Sequence, residues 1–423
     1  MKIFSLLSTG FWLYTVTLIT CATAFGADTP IDSFKNGKIS GKLETLYVSG
    51  SDTDVPVARS SDNKNVASGA VELNYVTEEF KGVNLGLGFQ SGHDFDIHDY
   101  DGSSEDDSRN SISATMMHQA YLQYSAMASS VKVGRQIIKT PLLLNSSEFP
   151  LTDSFDGVTL TTKLIPKTML QLFYIKEFNK RNGSDSDGSW LQEDTHFDDG
   201  FYSLYLKNQS ISGLSLDGQF QMTNDDTNGD LPVIVLEGYN QYFLRSEYKM
   251  PFDFPLFLGL LYGGATFDKA AEPDTMLYGI KLGTIFGPAK ISLAYTSVDD
   301  DNDFPGTLGH APDTILYTSM LITDAIYAGV DAVSLQTDFD FGIKNLERAC
   351  IQYTHFAQSD AGMANSPGDV GTADEVRIDL KYKFSAGYLK NLALRMHAAY
   401  AKYDQDVPQD DIVYGRFYVT YTF

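Results

Sequence analysis

From residue 38 to the C-terminus the chain breaks into segments of period-2 alternation, and the connections between them are alternately long and short. The segments fall at 38–49, 66–80, 82–92, 115–126, 129–136, 153–165, 167–178, 200–208, 213–223, 239–249, 255–267, 274–284, 288–298, 331–341, 346–357, 373–385, 391–404 and 412–423. The first connection, 50–65, is long, the next is the single residue Lys81, then 93–114 is long and 127–128 short. The rhythm continues, with tight turns at Pro166, 208–213, 251–255, 286–288, 342–345 and 387–390. Long loops thus gather on one rim and short turns on the other. A β-sandwich has no reason to keep that order, and a propeller would repeat similar blades of about 40 residues, a pattern this chain lacks. The expected fold is all-β: a transmembrane antiparallel β-barrel of about 18 strands, one per segment, with long external loops and short periplasmic turns.

Alternation within the segments supports this. In the last, Phe417, Val419, Tyr421 and Phe423 oppose Arg416, Tyr418, Thr420 and Thr422. In 373–385, Val376, Ile378, Leu380, Tyr382 and Phe384 oppose Glu375, Arg377, Asp379, Lys381 and Lys383. In a membrane the apolar row faces hydrocarbon and the charged row faces a wet lumen; in a soluble barrel the assignment reverses. The composition (27 Phe, 25 Tyr, 35 Gly and only 14 Pro) suits strands and bends over helices. With 55 acidic against 31 basic residues, the net charge of −24 excludes a nucleic-acid partner.

Lys2 precedes an uncharged run from Ile3 to Phe25 that ends in small residues, the layout of a secretory signal peptide over 1–26, cleaved between 24 and 27. Residues 27–423 then form a single outer-membrane barrel. Cys21 leaves with the signal, and Cys350 has no partner for a disulfide. The terminal aromatic Phe423, closing an amphipathic strand, resembles the mark by which barrel assembly machinery recognises its clients. The expected address is the outer membrane of a Gram-negative bacterium.

Acidic residues crowd the expected external loops, at 94–107, 185–199 and 299–303. A solvated rim accounts for them; a functional role would be bridging to lipopolysaccharide phosphates through divalent cations. No cofactor is expected otherwise, since Asn224–Gly229 resembles half a calcium loop but carries Val235 where the bidentate Glu belongs. Parity turns Lys163, Arg245, Lys281, Lys290, Arg348, Arg377, Lys381, Arg395 and Arg416 toward the lumen, a basic ladder suited to guiding anions. The connection 137–152 is apolar through Leu142–Leu144, so it is expected to fold inward as a constriction. The longest connection, 299–330, is expected to hold a short helix near Thr318–Asp324 that folds over the mouth as a partial gate.

The run His118-Gln119-Ala120-Tyr121-Leu122, with Val133-Gly134-Arg135-Gln136, Thr140-Pro141-Leu142 and Asp153-Ser154-Phe155-Asp156-Gly157-Val158, resembles the OprD-type outer-membrane porins. The resemblance implies an 18-stranded barrel, constricted by its third loop and lined by basic residues, that passes small carboxylate-bearing nutrients. It also implies that Arg135, Lys139, Thr140, Pro141 and Leu142 build the constriction. Simple alternation instead puts Arg135 on the face of Val131 and Val133, and only a bulge would bring it inside.

The functional expectation is passive diffusion of small hydrophilic solutes, with outer-membrane lipid and lipopolysaccharide as surroundings and a monomer or trimer as the assembly. The alternative is a non-conducting adhesin or structural barrel acting through its acidic loops. An enzyme is not expected: the histidines at 93, 98, 118, 196, 310, 355 and 397 form no motif with Ser or Asp, although His118 and His355 share the outward parity. A plug-bearing receptor is not expected either, since 28–37 cannot hold a plug.

Overall fold

The computed structural model describes residues 26–50, 65–95, 114–144, 148–181, 195–224, 238–268, 272–308, 315–366, 370–404 and 411–423. A short helix α1 (Pro30–Lys35), capped by Thr29, leads into the barrel. The first nine strands are β1 (Lys38–Gly50), β2 (Asn65–Val76), β3 (Val83–Asp94), β4 (Ala114–Ala126), β5 (Ser129–Gln136), β6 (Ser154–Thr162), β7 (Thr168–Asn179), β8 (Thr195–Asn208) and β9 (Leu214–Thr223). The other nine are β10 (Tyr239–Lys249), β11 (Leu256–Phe267), β12 (Thr275–Phe286), β13 (Ala289–Val298), β14 (Val330–Phe339), β15 (Leu346–Gln358), β16 (Thr372–Lys383), β17 (Leu392–Tyr403) and β18 (Ile412–Thr422). A helix α2 (Asp360–Asn365), capped by Ser359, stands between β15 and β16.

Each strand pairs antiparallel with the next, and β18 returns to β1 from Lys42↔Thr422 to Gly50↔Tyr414, so the 18-stranded sheet has no edge. Closure satisfies every ladder group, which a sheet in hydrocarbon requires. All 18 expected segments are strands. The largest boundary difference is β8, which starts at Thr195 rather than 200: β8 carries extra residues between His196 and Phe201, opposite Ile175 and Glu177 of β7, and its pairing resumes beyond them. The short turns hold positive-φ residues at Lys81, Met127, Lys167, Asn345 and Asn391, with Gly287 (φ 58°) between β12 and β13. Such a turn reverses the chain in the fewest residues.

The apolar row is the exposed one. On β12, Met276, Tyr278, Ile280 and Leu282 are exposed while Thr275, Leu277 and Gly283 are buried. On β16, Val376, Ile378 and Leu380 are exposed while Glu375 and Asp379 are buried. A soluble barrel would show the opposite, so this wall is built for hydrocarbon. Toward the long-loop rim the row ends in tyrosines: Tyr174–Tyr202, Tyr242–Tyr262 and Tyr278–Tyr295 meet at centroid distances of 5.3, 5.7 and 6.1 Å. Tyr295, Tyr353 and Tyr400 donate to Asp331, Asp374 and Asp411, at 2.8, 2.6 and 2.6 Å. Amphipathic rings with a wet tip belong at a membrane interface.

The signal segment and much of the acidic loops, including 96–113, 185–194 and 225–237, lie outside the described residues. The described part of the longest connection, 299–308 and 315–329, contains bends and turns but no helix. The expected helix at 318–324 is therefore corrected. The N–H groups of Leu321, Ile322 and Thr323 donate to the Glu375 carboxylate at 2.9, 3.1 and 2.8 Å, an arrangement that replaces intrahelical bonding.

Candidate functional site

The connection 137–153 packs inside the barrel. Thr140, Pro141, Leu142 and Leu143 are buried, and Leu142 N donates to Gln219 Oε1 on β9 at 2.9 Å. Leu143 pairs with Leu308 of the connection between β13 and β14: Leu144 N donates to Leu308 O at 3.1 Å, and Leu308 N to Leu142 O at 3.0 Å. Leu142 packs among Phe243, Leu261, Leu277, Phe304 and Ile326, so the two loops share an apolar core inside the barrel. The loop then reaches the opposite wall through Glu148. It returns past β1 and β3, where Lys42 Nζ donates to Pro150 O (2.8 Å) and Gln90 brackets Thr152 (2.8 and 3.0 Å). A loop held at β9, β17, β18, β1 and β3 crosses the lumen.

Glu148 is the most heavily bonded group in this path. Its carboxylate meets Arg395 Nη2 (3.0 Å), His397 Nδ1 (3.0 Å), Arg416 Nη1 (3.4 Å) and the Tyr418 hydroxyl (2.7 Å). Burial alone would raise its pKa; the His397 hydrogen bond and the charges of Arg416, His397 and Arg395 outweigh it and hold the carboxyl well below the usual carboxylate range. Beside it, the Phe149 ring lies between the guanidiniums of Arg181 (3.6 Å) and Arg416 (5.0 Å).

Of the expected constriction residues, Lys139 is exposed inside the barrel, while Thr140, Pro141 and Leu142 are buried, Leu142 within the core shared by the two loops. Arg135 is a correction. The pairing of β5 with β4 and β6 runs through Arg135 without a shift, so alternation holds and Arg135 lies on the outer face with Val131 and Val133. There it grips Asp156 through Nε (2.9 Å) and Nη2 (2.8 Å), with Glu177 at 3.7 Å. His118 corrects the parity the other way. A bulge opposite Gly88–Gln90 turns it inward, fully buried, 3.5 Å from Glu72. His355 keeps its outward position beside Asp374 at 2.9 Å.

The basic ladder is inside, but most of its members carry an acid. Arg245 pairs with Asp217 (3.3 Å), Lys281 with Glu247 (2.7 Å), Arg348 with Asp379 (2.6 Å), Lys381 with Glu347 (2.9 Å) and Arg395 with both Asp379 (2.9 Å) and Glu148. Arg416 is buried against Glu148 and Tyr414. Arg377 donates to Gln352 and has no carboxylate at ion-pair distance among the described residues. Lys163 stands past the end of β6, at the short-turn rim with Lys167 and Lys207. Lys290 is exposed near the same rim, its ammonium 4.9 Å from the Phe257 ring centroid.

The acids of 299–303 are not a plain solvated face. Asp299 accepts from Met276 N (2.6 Å) and Asp303 from Ala328 N (2.7 Å), tying the ends of the inward loop. Burial pushes both carboxyls above their ordinary range. Among the described residues no group of three or more His, Cys, Asp or Glu could hold a metal. Sequence reasoning missed Glu148 and Asp217, and it placed Glu375 and Asp379 on the charged row of their strand without the groups they bind. Glu148 left a trace: it is the only acid between Ile137 and Thr152, in a loop expected to cross a cationic lumen.

A family model described as outer membrane porin, OprD family, matches residues 84–423. No curated protein matches the chain. Among solved structures, Pseudomonas aeruginosa OccK3 (OpdO) is 17% identical at a TM-score of 0.71, covering 93% of this chain and 97% of that one. P. aeruginosa OccK9 (OpdG) is 18% identical at 0.73, covering 92% and 99%. P. aeruginosa OpdK with vanillate is 17% identical at 0.72, also covering 92% and 99%. At these identities the structural likeness speaks for the barrel fold.

Proposed function

Since this chain belongs to the OprD family of outer-membrane porins, we propose that the solutes it passes by diffusion across the outer membrane are small, hydrophilic and preferentially carboxylate-bearing. One observation carries the preference: the β17–β18 wall already grips a carboxylate, that of Glu148, with two guanidiniums, an imidazole and a phenol. Planar guanidinium donors match a carboxylate's two oxygens, and such charge-assisted bonds are about twice as strong as neutral ones. Arg348 and Arg377, on β15 and β16, continue this wall and offer a passing carboxylate the same chemistry. OpdK, solved with vanillate, has the same fold, and an aromatic carboxylate is the kind of solute this wall suits.

Because most ladder cations carry acids, the preference is for the group rather than for net negative charge. Passage by diffusion asks for no catalytic residue, and this reading assigns none. The test is single-channel recording in planar bilayers with a salt gradient, alongside swelling of protein-loaded liposomes in benzoate and in its uncharged isostere benzamide. Discrete conductance steps and faster entry of benzoate support the reading. Equal entry of the two overturns the carboxylate preference, and electrical silence from a heat-modifiable, folded barrel overturns conduction.

A further inference from the structure

The geometry points to a carboxylate-binding pocket at the foot of the constriction loop, held by Lys132 and Lys139, in which a small acid rests after passing the constriction. This deepens the preceding reading and rests on it. A cavity of about 130 Å³ lies between the start of the inward loop and the inner wall of β4–β7. Lys132, Lys139, Gln123, Ser130, Gln171 and Phe173 are among its lining residues, and none of the residues lining it is acidic. Holding one water takes roughly 10–15 Å³ of such space, so the cavity has room for several waters or one small acid.

Charge sets this cavity apart from the acid-paired members of the ladder. Arg245, Lys281, Arg348, Lys381 and Arg395 each have a carboxylate at 3.3 Å or less. Lys132 and Lys139 have none at ion-pair distance among the described residues. The Lys132 ammonium lies 4.2 Å from the centroid of the Tyr121 ring, a partial compensation for a half-buried cation. Two ammoniums in a half-enclosed cavity with low-dielectric walls focus a positive potential that an entering anion relieves.

The neutral groups suit the same guest. Gln171 Nε2 donates to Thr161 Oγ1 at 3.1 Å, and Gln136 Oε1 accepts from Thr159 Oγ1 at 2.8 Å, so these side chains are already oriented. Phe173, with Ile137 and Ile138, supplies an apolar side for the body of the solute. The guest is therefore a carboxylate on a small apolar frame. Toward the short-turn rim, Lys163, Lys167 and Lys207 line one open cavity, so an acid leaving the pocket meets cations again before the periplasm.

The test is the dwell time of benzoate in single-channel recordings, with benzamide as the uncharged control. Benzoate, and not benzamide, interrupts the current of the unmodified channel. A Lys132→Gln/Lys139→Gln variant shortens the interruptions about tenfold or more, since it removes charge-assisted contacts. If the double variant does not assemble, Lys139→Gln alone, altering an exposed side chain, gives the same comparison. Interruptions unchanged in the lysine variants but shortened by Arg348→Gln place the carboxylate on the arginine wall and overturn the pocket while sparing the wider reading. A channel that admits benzoate faster than benzamide yet shows no interruptions also overturns the pocket alone. A channel that does not distinguish the two solutes overturns both.

Discussion

Replacing Glu148 with Gln removes one negative charge from the place where the inward loop meets the β17–β18 wall, while keeping a side chain of the same shape. Tyr418 still has an acceptor there, and Arg395 keeps Asp379 at 2.9 and 3.0 Å. Arg416 keeps Tyr414 at 3.0 Å but loses its carboxylate. An ion passing about 6 Å away feels one elementary charge as about 0.7 kcal/mol in water and about 2.8 kcal/mol at an effective dielectric constant of about 20. Those limits correspond to roughly threefold and roughly a hundredfold in partition. The reversal potential of Glu148→Gln in a KCl gradient should therefore move toward chloride by at least about a threefold change in permeability ratio.

Because the folded-state pKa of Glu148 is depressed, the stabilisation it gives is present above the ordinary carboxylate range and lost only as pH falls through the lowered value. The groups facing it are Arg395 and His397 from β17 and Arg416 and Tyr418 from β18. The difference between the variant and the unmodified channel should thus persist from neutral pH down to about 4.5, just above the ordinary range. A folded Glu148→Gln channel with an unchanged reversal potential refutes the claim that this charge lies on the permeation path. A difference that vanishes between pH 7 and 5 refutes the ion-pair account of its ionisation.

Arg135→Ala should leave conductance and ion preference unaltered, because its guanidinium is on the outer face with Asp156; the loss of this half-buried surface pair should cost about 1 kcal/mol in thermal stability on heat-modified gels. Leu142→Ala opens space in the core shared by the two inward loops, at a cost of about 2–5 kcal/mol, and should give a noisier channel of larger conductance. Glu375→Ala leaves the N–H groups of Leu321, Ile322 and Thr323 without their acceptor, each worth about 1–3 kcal/mol when buried, so limited proteolysis should cut within 315–329 far faster than in the unmodified barrel.

The strands were legible because two solvents write on the same segment. Hydrocarbon requires Val376, Ile378 and Leu380 on one side, and a wet lumen allows Arg377, Asp379 and Lys381 on the other. Alternation was also right about Arg135, where the family resemblance alone would have misplaced it, since β5 carries no bulge. It failed at His118, because one extra residue opposite Gly88–Gln90 inverts the faces and nothing local in the sequence marks it. The ladder's cations were legible singly, but their pairing was not. Arg395 and Glu148 are far apart in sequence, and only the closed barrel and the inward loop bring them to 3.0 Å. The longest connection misled for a related reason: its backbone amides bond a carboxylate on β16 instead of one another.

The same distinction between rim and lumen yields a last expectation. The acids crowded in the long connections give the chain its charge of −24, yet all but one of the ladder's cations stand on the strands, below that rim, and Lys163 lies at the opposite one. At 1 M salt the Debye length is about 3 Å, so ions at the constriction feel only the charges around them; at 0.01 M it is about 30 Å, comparable with the height of the barrel wall. The reversal potential should therefore move toward cation preference as salt is lowered, and hold a limiting value set by the lumen as salt is raised. Glu148→Gln should shift the high-salt limit and leave the size of the low-salt drift unaltered, since it changes the lumen and not the rim. A reversal potential independent of salt from 0.01 to 1 M refutes a contribution from the acidic rim. A Glu148→Gln effect confined to low salt refutes the placement of that carboxylate beside the passing ion.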